Sequence, residues 1–320
     1  MNKDTVIKSI KIAIAAVLSI AIAGELGLKY SATAGIITVL SIQNTKRETL
    51  KSARNRTLAF LCALILSATL FHILDYTLFS FACYLLLFSL LCLYADWGEA
   101  IAMDSVLITH FLTEQSFSLS LVGNEMALFL IGTTVGVLIN MHLRKRADEF
   151  KKLSDHVDQQ IKHILNRMSH WLLFQDKAGY EPDCFVLLQT SLKNAQACAL
   201  TNYNNALFKK DPYEVDYIQM RQQQSEVLFE LYDNIKSISC LPSQAKEVAA
   251  LLERIQMDYH RNNTVEDLLK ELDRLLMDFK QHDLPVNREE FEARAILFYI
   301  LKQLKRLLMI KREFMLIYKK

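Results

Sequence analysis

Two neighbouring stretches, TLAFLCALILSATLFHIL (57–74) and YTLFSFACYLLLFSLLCLY (76–94), carry almost no charge over 18 and 19 residues. Apolar runs of that length match the hydrocarbon core of a bilayer, about 30 Å thick, which takes roughly 20 helical residues to cross. Lipid offers no partner to a backbone N–H or C=O, so a chain with such runs must close those bonds within helices or a sealed barrel. Unbroken apolar runs rather than alternating ones select helices, and an all-α membrane domain is predicted.

Four further stretches complete a set of six candidate spans: Ile7–Leu28, Ser31–Gln43, Thr57–Leu74, Tyr76–Tyr94, Glu99–Phe117 and Glu125–Leu143. The second is short, and its helix is expected to continue into the basic stretch that follows. The fifth, EAIAMDSVLITHFLTEQSF, is the most polar. The first is read as a retained helix, because a second apolar segment and a basic loop follow it.

Composition divides at the end of these runs. Residues 1–143 hold nine Lys/Arg and nine Asp/Glu, whereas residues 144–320 hold 28 and 26; all four prolines fall in the second part. Two solvents are implied: a six-helix transmembrane domain over 1–143, and a cytosolic α-helical domain over 144–320. The net charge of +2 lacks the one-sided basic excess of a nucleic-acid binder, so the expected surroundings are membrane lipids and not nucleic acid.

Lys and Arg in short loops mark the cytosolic side. They cluster at the N-terminus (Lys3, Lys8, Lys11), in QNTKRETLKSARNR (43–56), and in HLRKR after the sixth span. The opposite-side connections hold only Lys29. Six spans with both termini cytosolic fit this pattern.

Within QNTKRETLKSARNR, Gln43 and Asn44 mark where the second span leaves lipid. Arg47, Lys51 and Arg54, spaced i, i+4, i+7, share one helix face. That face could concentrate organic anions at the mouth of a path, or it could bind anionic headgroups at about 1 kcal/mol per basic residue. Ionisable groups inside a span usually face protein or water. Asp104 and His110 of the fifth span therefore suit proton relay, solute binding or a structural hydrogen bond. Gly132 and Gly136 form a GxxxG in the sixth span, which permits close approach of another helix, within the subunit or across an oligomer.

The charged part predicts a helix running from Met141 to about Phe174, then helices near 183–209, 213–240, 243–259, 264–281 and 288–320. Phe150, Leu153, Val157, Ile161, Ile164, Met168 and Trp171 form a stripe at three- and four-residue steps. His156, His163 and His170 flank it, as a polar edge or a pH sensor. Thr264 and Asn287 are expected helix N-caps. The six cysteines include no CxxC pair and read as small hydrophobes; no metal, cofactor or catalytic constellation is indicated, and an enzyme is not expected.

The order of segments has a known counterpart. IKIAIAAVLSIAIAGELGL, then YSATAGIITVLSIQNTKRETLKSARNR, then DWGEAIAMDSVLITHF and a long helical tail together resemble the bacterial aromatic acid exporter family, related to the fusaric acid resistance proteins. The tail resembles that family's own C-terminal domain. Ala59 and Ala63 stand where the family usually has glycine. The resemblance implies export of aromatic carboxylates or similar organic anions, driven by the proton gradient, by a homo-oligomer, dimer or higher. A competing reading is a membrane-anchored structural or regulatory protein whose cytosolic bundle binds a partner. The polar fifth span favours the exporter, and the size of the bundle favours the anchor.

Overall fold

The computed structural model describes residues 3–141, 147–177, 179–207, 210–261 and 263–318. Among these residues are twelve α-helices, a 3₁₀ turn and no strand. The chain divides into two compact units, 1–145 with 204–209 and 146–203 with 210–320.

The first unit contains α1 (Lys3–Glu25), α2 (Ala32–Ser41), α3 (Lys46–Leu74), α4 (Leu78–Tyr94), a 3₁₀ turn (Gly98–Ala100) running into α5 (Ile101–Glu114), and α6 (Leu119–Asn140). Three of them, α1 from Val6, α3 and α6, are long and apolar enough to cross a membrane, while α2 and α4 are shorter apolar helices. At 14 residues, α5 spans about 21 Å.

Hydrogen bonds show how the short helices run. The Lys29 N–H donates to Asn124, and Asn140 donates to the Gln43 carbonyl. Asn124 and Asn140 both belong to α6 and stand about 24 Å apart along it at ~1.5 Å per residue. Residues 29–43 thus run most of the length of α6 although α2 itself has ten residues. Similarly, α5 reaches from Glu99, which accepts from Ser52 at the start of α3, to Glu114, which pairs with Lys29. Lys8 donates to Asn44, and Lys51 pairs with Asp96. The six helices therefore alternate in direction.

The basic stretch belongs to the third helix, which corrects the expectation that the second continues into it. α2 stops at Ser41 and Ile42 is extended; Thr45 caps α3, its hydroxyl accepting from the Glu48 N–H. TKRE is an S/T-x-x-E start signal, and it overrides the apolar run that precedes it.

The two glycines of GxxxG serve contact within the subunit. A Cβ on Gly132 would lie 2.6 Å from Ile37 and 2.7 Å from the Ala34 carbonyl oxygen, and one on Gly136 would lie 2.7 Å from Ser41. Thr38 then donates to the Gly132 carbonyl at 3.1 Å and meets Ser19 of α1 at 2.5 Å. Small residues bring α1, α2 and α6 to backbone contact. On the other side of the bundle Tyr84, Phe88, Leu107, Ile108 and Phe111 are buried, and Phe60 stacks on Phe129.

The second unit comprises α7 (Ala147–Trp171), α8 (Asp183–Asn205), α9 (Tyr213–Lys236), α10 (Gln244–Met257), α11 (Glu266–Asp278) and α12 (Arg288–Tyr318). HLRKR lies outside the described residues. The stripe on α7 is buried at Phe150, Val157, Ile161, Ile164 and Met168, with Leu153 and Trp171 packed at its edge. His156, His163 and His170 are exposed.

Asn287 caps α12 by accepting from the Glu290 N–H. Thr264 does not cap α11: Val265, at φ 59°, precedes the helix without a side-chain cap. Asn263 instead accepts from the Val265 N–H. Inside the core, Arg221 donates to Asp158 at 2.9 Å, to Gln224 at 2.8 Å and to the Tyr217 hydroxyl at 2.9 Å, and it also reaches Tyr259. Every charge at this depth has a partner, which is what keeps its burial tolerable.

Candidate functional site

Two polar clusters are built into the apolar first unit, near opposite ends of α5. The first arises from the rotation of α3. Thr45, Thr49, Ser52 and Arg56 repeat at i, i+4, i+7, i+11, and all four side chains are buried. Arg47 and Arg54 occupy the opposite, exposed face, and Lys51 is exposed between the two.

Arg56 is 4% exposed and lines a cleft of about 300 Å³ with Glu48, Lys51, Ser52, Asn55, Asp96, Trp97 and Glu99. Glu99 is the hub of this cleft. It accepts from Ser52 at 2.7 Å and from Gln43 at 3.4 Å, and stands 3.8 Å from Arg56. One turn on, Asp104 is fully buried, and neither of its oxygens has a hydrogen-bond partner among the described residues. The Arg56 Nε is unpartnered as well. The Arg56 charge acts on both acids, so a single guanidinium serves the two carboxylates.

The second cluster closes the other end. His110 Nδ1 and Glu125 Oε2 are 2.7 Å apart, and the His110 ring stacks on Tyr30 at 3.9 Å. The Tyr30 hydroxyl donates to Glu114, which also pairs with Lys29. Asn124 donates to Glu125 and to the Lys29 carbonyl.

The structure therefore separates the sequence-predicted residues. Lys51 lines the cleft, Gln43 reaches its Glu99, and Asp104 sits close to Arg56. Asn44 is exposed and holds Lys8. Arg47 and Arg54 face away from the cleft, and His110 belongs to the other cluster. Sequence reasoning passed over Arg56, Glu99 and Glu125 as site residues. The signal for Arg56 was present in the small polar residues that share its face, which a lipid-facing helix has no use for. A guanidinium at the wall of a cleft is suited to bind a carboxylate in two-pronged fashion, and the half-buried Trp97 ring lines the same cleft.

Comparison with known proteins bears on both units. Residues 5–143 match the family model "Aromatic acid exporter family member 1", and residues 147–312 match "Putative aromatic acid exporter C-terminal domain". The chain is 30% identical over 310 residues to the uncharacterized protein YqjA of Bacillus subtilis (strain 168), covering 96% of this chain and 95% of that one. A solved structure described as "putative membrane protein from Clostridium difficile 630" is 24% identical, with a TM-score of 0.46, over 52% of this chain and 98% of that one. Matched by family models in both of its units and by a relative over nearly its full length, the chain belongs to the aromatic acid exporter family of membrane proteins.

Proposed function

We propose that the protein exports aromatic carboxylates or similar organic anions across the bacterial cell membrane, using the proton gradient. In this reading all six helices of the first unit cross the bilayer with both termini cytosolic, and the second unit is a cytosolic bundle. The alternating helix directions and the span-length run of residues 29–43 support six passes. The chain works as a homo-oligomer, since six helices enclose little room for a path of their own.

The observation that carries the reading is Arg56. A guanidinium removed from water inside an apolar bundle is costly, and here it lines a cleft with the Glu99 carboxylate 3.8 Å away. The cleft size suits a single-ring acid.

Reconstituted vesicles test this. Under an imposed pH gradient, wild-type protein moves labelled aromatic carboxylates such as benzoate, and Arg56→Gln lowers the initial rate at least tenfold. Unchanged transport in Arg56→Gln, or no transport of any member of a panel of aromatic carboxylates, defeats the reading.

A further inference from the structure

We propose that the His110–Glu125 pair holds the proton whose entry drives export, and that it takes this proton from the outer side through the imidazole. The proposal rests on the reading of the protein as a proton-driven exporter and adds which side chains carry the proton.

Export driven by proton entry is an exchange, so proton and anion must load from opposite sides. The Arg56 cleft lies beside Glu99, in the turn that leads into α5. The His110–Glu125 pair lies toward the other end of that helix. In the six-pass topology proposed above, the first end is cytosolic and the second faces out of the cell. A proton taken up at the pair therefore enters from the side toward which the anion leaves.

The charges of the outer cluster leave one carboxylate without a cation. Lys29 and Glu114 pair at 2.9 Å and cancel. Glu125 meets His110 Nδ1 at 2.7 Å and the Asn124 amide at 2.9 Å. The other groups facing His110 are the Tyr30 ring, stacked on it, and the Glu114 carboxylate. Among the described residues of the cluster, an imidazolium at His110 is thus the cation left to neutralise Glu125. The buried pair of the second unit is built differently: Arg221 holds Asp158 with a permanent charge, whereas the charge on an imidazole comes and goes in the neutral range.

Exposure falls in the order that a proton from outside would follow. The Lys29 side chain is 62% exposed, Glu114 30%, His110 9% and Glu125 0%. Solvent protons therefore reach Glu125 through the ring. With Nδ1–H directed at Glu125, the neutral imidazole keeps its lone pair on Nε2. One proton adds there, no other bond forms or breaks, and the cluster passes from one negative charge to none. A carboxylate left bare in a poorly screened interior is costly, so the pair loads while this end faces the acid outer side. The proton leaves when the helices reopen toward the cytosol.

The test uses full-length protein in vesicles with an acid interior, labelled benzoate outside, and the membrane potential clamped with potassium and valinomycin. Exchange of protons for benzoate then accumulates label inside, whereas neutral benzoic acid crossing unaided favours the alkaline exterior. A second assay, without a gradient, follows exchange of labelled for unlabelled benzoate. Wild type is expected to do both, and a trapped pH indicator should show protons leaving as label enters. His110→Gln keeps an amide donor for Glu125 but takes no proton, and Glu125→Gln withdraws the charge that holds one. Each should lose about tenfold or more of the gradient-driven accumulation while keeping benzoate exchange within about twofold, a split that misfolding does not produce. Proton-coupled accumulation that persists in His110→Gln overturns the assignment and leaves export standing. Loss of accumulation and exchange together in both variants also overturns it, since the pair is then structural. Wild-type exchange that moves no protons removes the coupling alone. Wild type that neither accumulates nor exchanges benzoate removes the export reading, and the proton site with it.

Discussion

His110 Nδ1 of α5 lies 2.7 Å from Glu125 Oε2 of α6, and Glu125 is fully buried. Membrane helices gain little from apolar contact with one another, so if α5 crosses the bilayer beside α6 as proposed, a polar pair of this kind contributes disproportionately to which helix meets which. Truncating one member strands the other. Glu125→Ala is expected to destabilise the folded protein by about 3 kcal/mol, seen as a lowered melting temperature in detergent. Glu125→Gln should cost less, because the amide oxygen can still accept from the ring N–H. The double variant His110→Ala/Glu125→Ala should recover part of the loss; additive losses would mean that the two side chains do not support each other.

Gly132 allows α2 and α6 to touch backbone to backbone. A Cβ there would lie 2.6 Å from Ile37 and 2.7 Å from the Ala34 carbonyl oxygen, and main chain cannot step aside as a flexible side chain can. Gly132→Leu should therefore abolish the monodisperse peak of the detergent-solubilised protein. Gly123, on the same helix with nothing within 4 Å of its Cβ position, serves as control: Gly123→Ala should behave as wild type. A Gly132→Leu protein that elutes normally would move this contact elsewhere.

How much of this was legible can be judged from particular residues. Helices α8 to α12 lie within about a turn of the stretches predicted for them, because Pro182, Pro212, Pro242 and the Asn287 cap punctuate strong periodic patterns, and α7 ends within a turn of the expected Phe174. The two glycines announced a close approach but could not name α2 as the partner, since that choice depends on tertiary packing. The Arg47–Lys51–Arg54 face drew attention because charge is conspicuous. The decisive face of α3 was the quiet one, with Thr45, Thr49 and Ser52 leading to Arg56. Glu125 reads as the edge of a span because a window of hydropathy cannot see that His110 meets it from another helix.

Lys311 of α12 is buried, with its ammonium donating to the His260 carbonyl and lying over the Tyr259 ring. Burial and the nearby Arg221 guanidinium push it down from the ordinary 10.5 to about 7. Above pH 7 the unfolded chain keeps a proton that the folded unit sheds, so stability rises with pH, by at most about 1.4 kcal/mol per unit crossed. Below that value both forms are protonated, and the cost of burial is present in full and constant. Denaturant unfolding should show this between about pH 7 and 8.5, under the ordinary range of the cysteine thiols. Trp171 fluorescence reports on the second unit if Trp97→Phe silences the other tryptophan. Lys311→Met should remove the slope; a slope that persists assigns it to another group.

Arg47 and Arg54 are exposed on the face of α3 turned away from the cleft. Neither lines it, whereas Lys51 and Arg56 do. If that outer face meets headgroups, its contribution is about 1 kcal/mol per residue and depends on anionic lipid. The variant Arg47→Gln/Arg54→Gln should then transport within about twofold of wild type in vesicles of mixed lipid. It should also lose the dependence on anionic lipid content that wild type shows, since an exposed, salt-screened charge acts at the surface where it sits and not through the bundle. A tenfold loss of transport in this variant at every lipid composition would instead place the two arginines on the route the anion follows into the cleft.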